Sequence, residues 1–273
     1  MSNLIYQYYQ GKVTTGVWAG VKLMKAYAER IGAEYIFDNN QNWMPSWYGE
    51  QYCAYYGAFR PVFDTEFNKY DNILFADCDI IPVDGLTDNI FDEMDDHDLL
   101  LAEEWNQPEA RAKYNIGGIT GAKDDQWAKY VKDKFGVDVP RTESGKVRVF
   151  NSGVVLYSKE GRKNLREVVS NAHGNFQESV AMYLGNVAGE FPNFYTLDQN
   201  YLNVLMCAVN WGLLDYKWNS SVSYVPETQD PRPVLDLRTK DTKFVHVQIK
   251  GKGDFPIWKM QKIADKPVDE WKL

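Results

Sequence analysis

A strand, a helix and a second strand fit within residues 3–38, and that order limits what the chain can become. "NLIYQYY" is a short β-type run. "TTGVWAGVKLMKAYAERIGA" then brings Val17, Val21, Met24, Ala28 and Ile31 onto one face at helical spacing. Thr14 or Thr15 is placed to cap its start, and Gly32 stands where a glycine ends a helix. "AEYIFD" returns to the strand pattern. A strand that leaves through a helix and comes back is a βαβ unit, which builds a parallel sheet covered by helices. The expected class is α/β, with a mixed, mostly parallel central sheet flanked by helices.

Further along, a helix is expected around Glu50 to Phe63 and a buried strand at "NILFA". A short capped helix at "TDNIFDEMDD" and a strand at "DLLLAEE" follow. "KDDQWAKYVKDKFG" is helical. "KVRVFNSGVVLYS" reads as a strand interrupted by Asn151-Ser152-Gly153. "GRKNLREVVSNA" through "SVAMYLGNV" is helix-rich, "FYTLDQNYLNVLMCAVNWG" is helix-like, and "TKFVHVQIKGKG" is a late strand ending in a glycine-flanked loop. With no repeat, low-complexity segment or linker, residues 1–273 are expected to form a single domain of two lobes.

The "NILFADCDIIPVDG" run raises the chemical question. Asp77 and Asp79 stand at or just past the end of an apolar strand, and ligands of open parallel sheets bind beyond the carboxyl ends of strands. Two carboxylates so close repel each other and resist burial unless a cation or a shared proton joins them. Residues i and i+2 share one side, so the pair offers hard oxygen ligands for Mg²⁺ or Mn²⁺, which also bind phosphate oxygens. A solvated acidic turn needs no apolar strand on both sides.

Eighteen Tyr, 13 Phe and 9 Trp give a mild lean towards sugars or bases as ligands. A net charge of −8 argues against a nucleic-acid partner. Cys53, Cys78 and Cys207 are odd in number and far apart, which reads as reduced thiols. The amino-terminal stretch lacks the pattern of a signal peptide, and no run of about eighteen apolar residues occurs, so no transmembrane segment is expected. A cytoplasmic protein is the expectation.

Five ordered segments resemble the retaining branch of the GT-A nucleotide-sugar glycosyltransferases, the glycogenin and bacterial galactosyltransferase type. "KYDNILFADCDIIPVDGL" is similar to its strand–DxD–apolar pattern. "VFNSGVVLYS", "TLDQNYLNVL", "LLDYKWNSSVSY" and "FVHVQIKGKGDFPIW" resemble, in order, its later segments. The resemblance implies a Rossmann-like GT-A fold with the DxD after a central strand. Residues 1–110 would form the nucleotide-binding half and 111–245 the sugar and acceptor half, with the metal-ligand strand end and tail at 246–273.

By that resemblance Asp77, Asp79 and His246 hold Mn²⁺ or Mg²⁺, and Arg60 touches the donor. Asn151, Ser152 and Gly153 lie beside the donor sugar. Asp198 hydrogen-bonds its hydroxyls, and Gln199 lies near the anomeric carbon. The glycine-flanked Lys252 suits a diphosphate, although the spacing from His246 is longer than in the family and leaves Lys250 as a competitor. Tyr6 and Tyr8, at the end of the first strand, are where the fold would seat a base. The implied activity is metal-dependent transfer of a sugar from a UDP- or GDP-sugar to an acceptor hydroxyl of a glycan, protein or small molecule, with retention. Three alternatives stand beside it. One is a haloacid-dehalogenase-like phosphatase with Asp77 as nucleophile. Another is an inverting enzyme using Glu103, Glu104 or Asp198 as base. The third is a non-catalytic sugar-binding protein.

Overall fold

A computed structural model describes residues 2–39, 43–44, 55–114, 118–224 and 234–271. Strand β1 (Asn3–Tyr8), helix α1 (Thr15–Ile31) and strand β2 (Glu34–Asp38) form the expected βαβ unit, with β1 and β2 parallel. The Thr14 hydroxyl accepts the Val17 amide at 3.4 Å, and Gly32 closes the helix at φ 71°, a conformation in which only glycine escapes a Cβ clash.

The predicted helix at 50–63 lies partly outside the described residues. From Tyr55 on the chain is helical, ending in the short helix α2 (Arg60–Phe63). Strand β3 (Asn72–Ala76) is fully buried, and β4 (Ile80–Pro82) starts just after Asp79. Then come β5 (Leu99–Glu103), α3 (Gln107–Lys113), α4 (Gly121–Phe135), β6 (Phe150–Ser158), α5 (Lys159–His173), α6 (Phe176–Asn186) and α7 (Asp198–Met206). The described chain finishes through β7 (Trp211–Leu213), β8 (Ser220–Tyr224), β9 (Val234–Asp236), β10 (Phe244–Gln248) and α8 (Ile257–Asp265).

The central sheet runs β2-β1-β3-β6-β5-β7. Only β6 is antiparallel to its neighbours, so the sheet is mixed but mostly parallel, and β3 is an inner strand. Period-two alternation divides β3 between two cores. Ile73 and Phe75 pack with Tyr6, Leu101 and Tyr201 on one face, and Leu74 and Ala76 pack with Ile5, Met24 and Phe244 on the other. A second sheet, β4-β10-β8-β9, packs through Ile81, Val245 and Val247 against Ala19 of α1 and Ile263 of α8.

One expectation is corrected. Asn151, Ser152 and Gly153 do not interrupt a strand; they belong to β6. The strand begins only at Phe150, and the irregularity lies across the ladder, where the β5 register shifts between Leu101 and Glu103. The Asn151 side chain accepts the Gly153 amide at 2.8 Å, so the polar group serves its own strand's backbone.

Two helical glycines set how closely the loops approach α1. A Cβ at Gly16 would lie 1.8 Å from the Lys252 carbonyl oxygen, and one at Gly20 would lie 1.8 Å from that of Cys78. Gly185, in α6, faces open space. Gly20→Ala should therefore lower stability by roughly 1–3 kcal/mol through overpacking, while Gly185→Ala should be neutral or stabilising by up to about 1 kcal/mol. Thermal unfolding of the two variants checks this; equal melting points would contradict the packing account.

Candidate metal and nucleotide site

The two carboxylates are set by three strands. The Asp77 amide donates to the Gly153 carbonyl at 2.8 Å, its own carbonyl accepts from Gln7 Nε2 at 2.9 Å, and the Asp79 carbonyl accepts the Val247 amide at 2.9 Å. β6, β1 and β10 thus pin the turn at both aspartates. Antiparallel pairing of β10 with β4 places His246 opposite Ile80, which brings His246 Nε2 to 3.4 Å from Asp79 Oδ1. Lys252 Nζ forms an ion pair with Asp79 Oδ2.

These charges sort themselves unequally. Burial, then repulsion from Asp79, pushes the Asp77 carboxyl up to about 6. Burial would raise Asp79 as well, but His246 and Lys252 outweigh it and hold Asp79 below the usual carboxylate range. Burial disfavours the His246 cation, yet Asp79 and then Asp77 raise its pKa above the ordinary value. Asp198 is pushed up to about 7 by burial and by Asp77, against hydrogen bonds from Ser152 and the amide of Gln199. Packing these carboxylates together leaves a demand for positive charge.

The residues fit a divalent ion. One ligand atom each from Asp77, Asp79 and His246 lie within 4.8 Å of one another. Oxygen and imidazole donors suit Mn²⁺ or Mg²⁺. Gly153 keeps the space clear: a Cβ there would stand 2.9 Å from His246 Cε1 and 3.0 Å from Asp77 Oδ2. Because neither a protonated Asp77 nor a protonated His246 can ligate, and both pKa values are raised, Mn²⁺ affinity should be highest at the alkaline end of the range and fall as the pH drops. The expected loss is about tenfold per unit for each competing proton. Calorimetric titration with Mn²⁺ between pH 5 and pH 8 would show it, and an affinity flat across that range would contradict the assignment.

The aspartates and His246 open into a cleft of 690 Å³. Asn151, Ser152, Asp198, Gln199 and Lys252 all line it, and Tyr8 forms part of its wall. Lys252, not the exposed Lys250, is the lysine that reaches it. Tyr6 and Arg60 are not brought there. Tyr6 is fully buried and donates to Asp38 at 2.6 Å, since it sits two residues deeper in β1 than Tyr8. The Arg60 guanidinium is shared among Asp38, Asp64 and Glu66. Glu103 pairs with Arg148, and Glu104 accepts from Asn151 Nδ2.

Sequence reasoning passed over Gln7, Asn219, Gly16 and Phe194. Gln7 is buried in an apolar strand, and a lone amide there was the available signal. Asn219 donates to Asn151 Oδ1 at 2.9 Å. Phe194, on the turn before Asp198, lines the cleft beneath the Arg111 guanidinium, 4.8 Å from the ring centre.

No family model and no curated protein matches the chain. Among solved structures it is similar to the WbbM bifunctional glycosyltransferase, at 11% identity and a TM-score of 0.51, over 90% of this chain and 45% of that one. Mouse xyloside xylosyltransferase 1 aligns at 12% identity and a TM-score of 0.48, over 90% and 97% of the two chains. The galactosyltransferase LgtC, in complex with donor and acceptor sugar analogues, aligns at 13% and 0.44, over 97% and 98%. At such identities the likeness is one of fold. The fold is that of the GT-A glycosyltransferases.

Proposed function

We propose that the chain is a metal-dependent glycosyltransferase that moves a sugar from a UDP- or GDP-sugar to an acceptor hydroxyl with retention. One observation carries the reading: Asp77, Asp79 and His246 meet Lys252, Asp198 and Gln199 in one cleft, at the carboxyl end of an inner sheet strand. Asp77, Asp79 and His246 would hold Mn²⁺ or Mg²⁺, which as a Lewis acid would offset charge gathering on the departing diphosphate. Lys252 adds a second positive charge, and its donors suit phosphate oxygens. Asn151 and Ser152 offer small polar groups where Gly153 lets a sugar approach. Asp198, held by the Ser152 hydroxyl, accepts from sugar hydroxyls. Gln199 is an amide and a poor nucleophile, which favours attack from the side of the leaving group, with a diphosphate oxygen taking the acceptor's proton.

The acceptor is a glycan, a protein or a small molecule. None of the described helices is long and apolar enough to cross a membrane. Free thiols at Cys78 and Cys207 support a reducing, cytoplasmic setting, and the net charge of −8 disfavours nucleic acid as a partner.

The test is to incubate the protein with a panel of UDP- and GDP-sugars and measure released nucleoside diphosphate. One donor should turn over, stop on chelation and resume with Mn²⁺. Hydrolysis of a simple aryl phosphate, with no nucleotide sugar consumed, would transfer the site to phosphatase chemistry.

A further inference from the structure

We infer that Lys252 is a resident counter-cation of Asp79, exchanged for the divalent ion when a nucleoside diphosphate gives the ammonium another anion to meet. The inference rests on the proposed metal site and describes how that site is loaded.

Both Asp79 carboxylate oxygens are engaged. Lys252 Nζ pairs with Oδ2, and His246 Nε2 lies 3.4 Å from Oδ1. An ion held by Asp79 Oδ1 and His246 Nε2 stands one carboxylate away from the ammonium on Oδ2, so the two positive charges compete for Asp79. The main chain at Lys252 has little freedom to help. Its carbonyl occupies the space that a Cβ at Gly16 would fill, 1.8 Å away, and accepts the Phe255 amide at 3.1 Å. The Lys252 amide donates to Ile249 at 3.2 Å. The side chain is 39% exposed and lines the cleft, so its four-carbon stem can turn while the loop stays put.

Two consequences follow from charge alone. Without nucleotide, a divalent ion competes with the ammonium, and the displaced charge stays beside it. With a diphosphate present, the ammonium has a new partner and the ion meets less competition. Metal and nucleotide then raise each other's affinity reciprocally, and part of that coupling belongs to Lys252.

The experiment is calorimetric titration of Mn²⁺ into the wild-type protein and Lys252→Gln, first alone and then with UDP or GDP. Lys252→Gln should bind Mn²⁺ alone at least tenfold more tightly than wild type. The tightening contributed by the nucleotide should be smaller in the variant. A crystal structure of the wild type soaked in Mg²⁺ together with UDP or GDP separates exchange from simple repulsion: Asp79 should ligate the ion, with the ammonium turned to the diphosphate. Equal Mn²⁺ affinities in the two proteins, or a bound ion beside an intact Lys252–Asp79 pair, would overturn the inference and leave the metal site standing. Absence of Mn²⁺ binding to either protein under every condition would remove the site and the inference together.

Discussion

Asp79→Ala is expected to abolish Mn²⁺ binding and lower sugar transfer by on the order of a thousandfold or more, with the fold retained. Asp79 faces His246 and Lys252 and shares the site with Asp77, so its loss removes a proposed ligand and takes from the Lys252 ammonium its carboxylate partner. The fold survives because opposing effects meet there. The depressed Asp79 pKa stabilises the native state above the ordinary carboxylate value and is lost as the pH falls. Asp79 also raises the Asp77 pKa, a strain that ends with its removal. Donor turnover and thermal unfolding measure the two halves. Near-normal turnover in a folded variant would sink the metal assignment.

Gly153→Ala should be the second large effect, through space and not charge. The added methyl would meet Asn151 Oδ1 at 2.8 Å, His246 Cε1 at 2.9 Å and Asp77 Oδ2 at 3.0 Å. These are side-chain atoms that can shift by a few tenths of an ångström, so the strand persists while two proposed ligands are pushed apart. Mn²⁺ affinity should fall roughly 10- to 100-fold, as when supports around a metal are altered. The melting point should move little. Unchanged Mn²⁺ affinity, measured by calorimetry, would show that Gly153 is not part of the cradle.

Much of this was legible because local chemistry and fold agree. Thr14 and Gly32 bound α1 as their residue types predict. The apolar run before Asp77 is an inner strand, and alternation in β10 turned Val245 and Val247 to one core and Phe244 to another. What escaped depends on distant partners. Arg60 looked available for a phosphate because nothing in the sequence shows Asp38 and Glu66 converging on it. Tyr6 and Tyr8 share strand parity, but parity does not give depth along the strand. Gly16 and Gly20 carry no local signal of their own, because their value is the backbone of distant segments that they admit. Asn151-Ser152-Gly153 looked like a break because polar residues gain nothing in a strand interior, yet here their partners lie in the same strand and across the site.

A metal-dependent nucleotide site is tested by calorimetry of UDP and GDP binding to the wild-type protein, with and without Mn²⁺. One of the two nucleotides should bind, and its binding should require the metal. Failure of both to bind a folded sample in the presence of Mn²⁺ would contradict it.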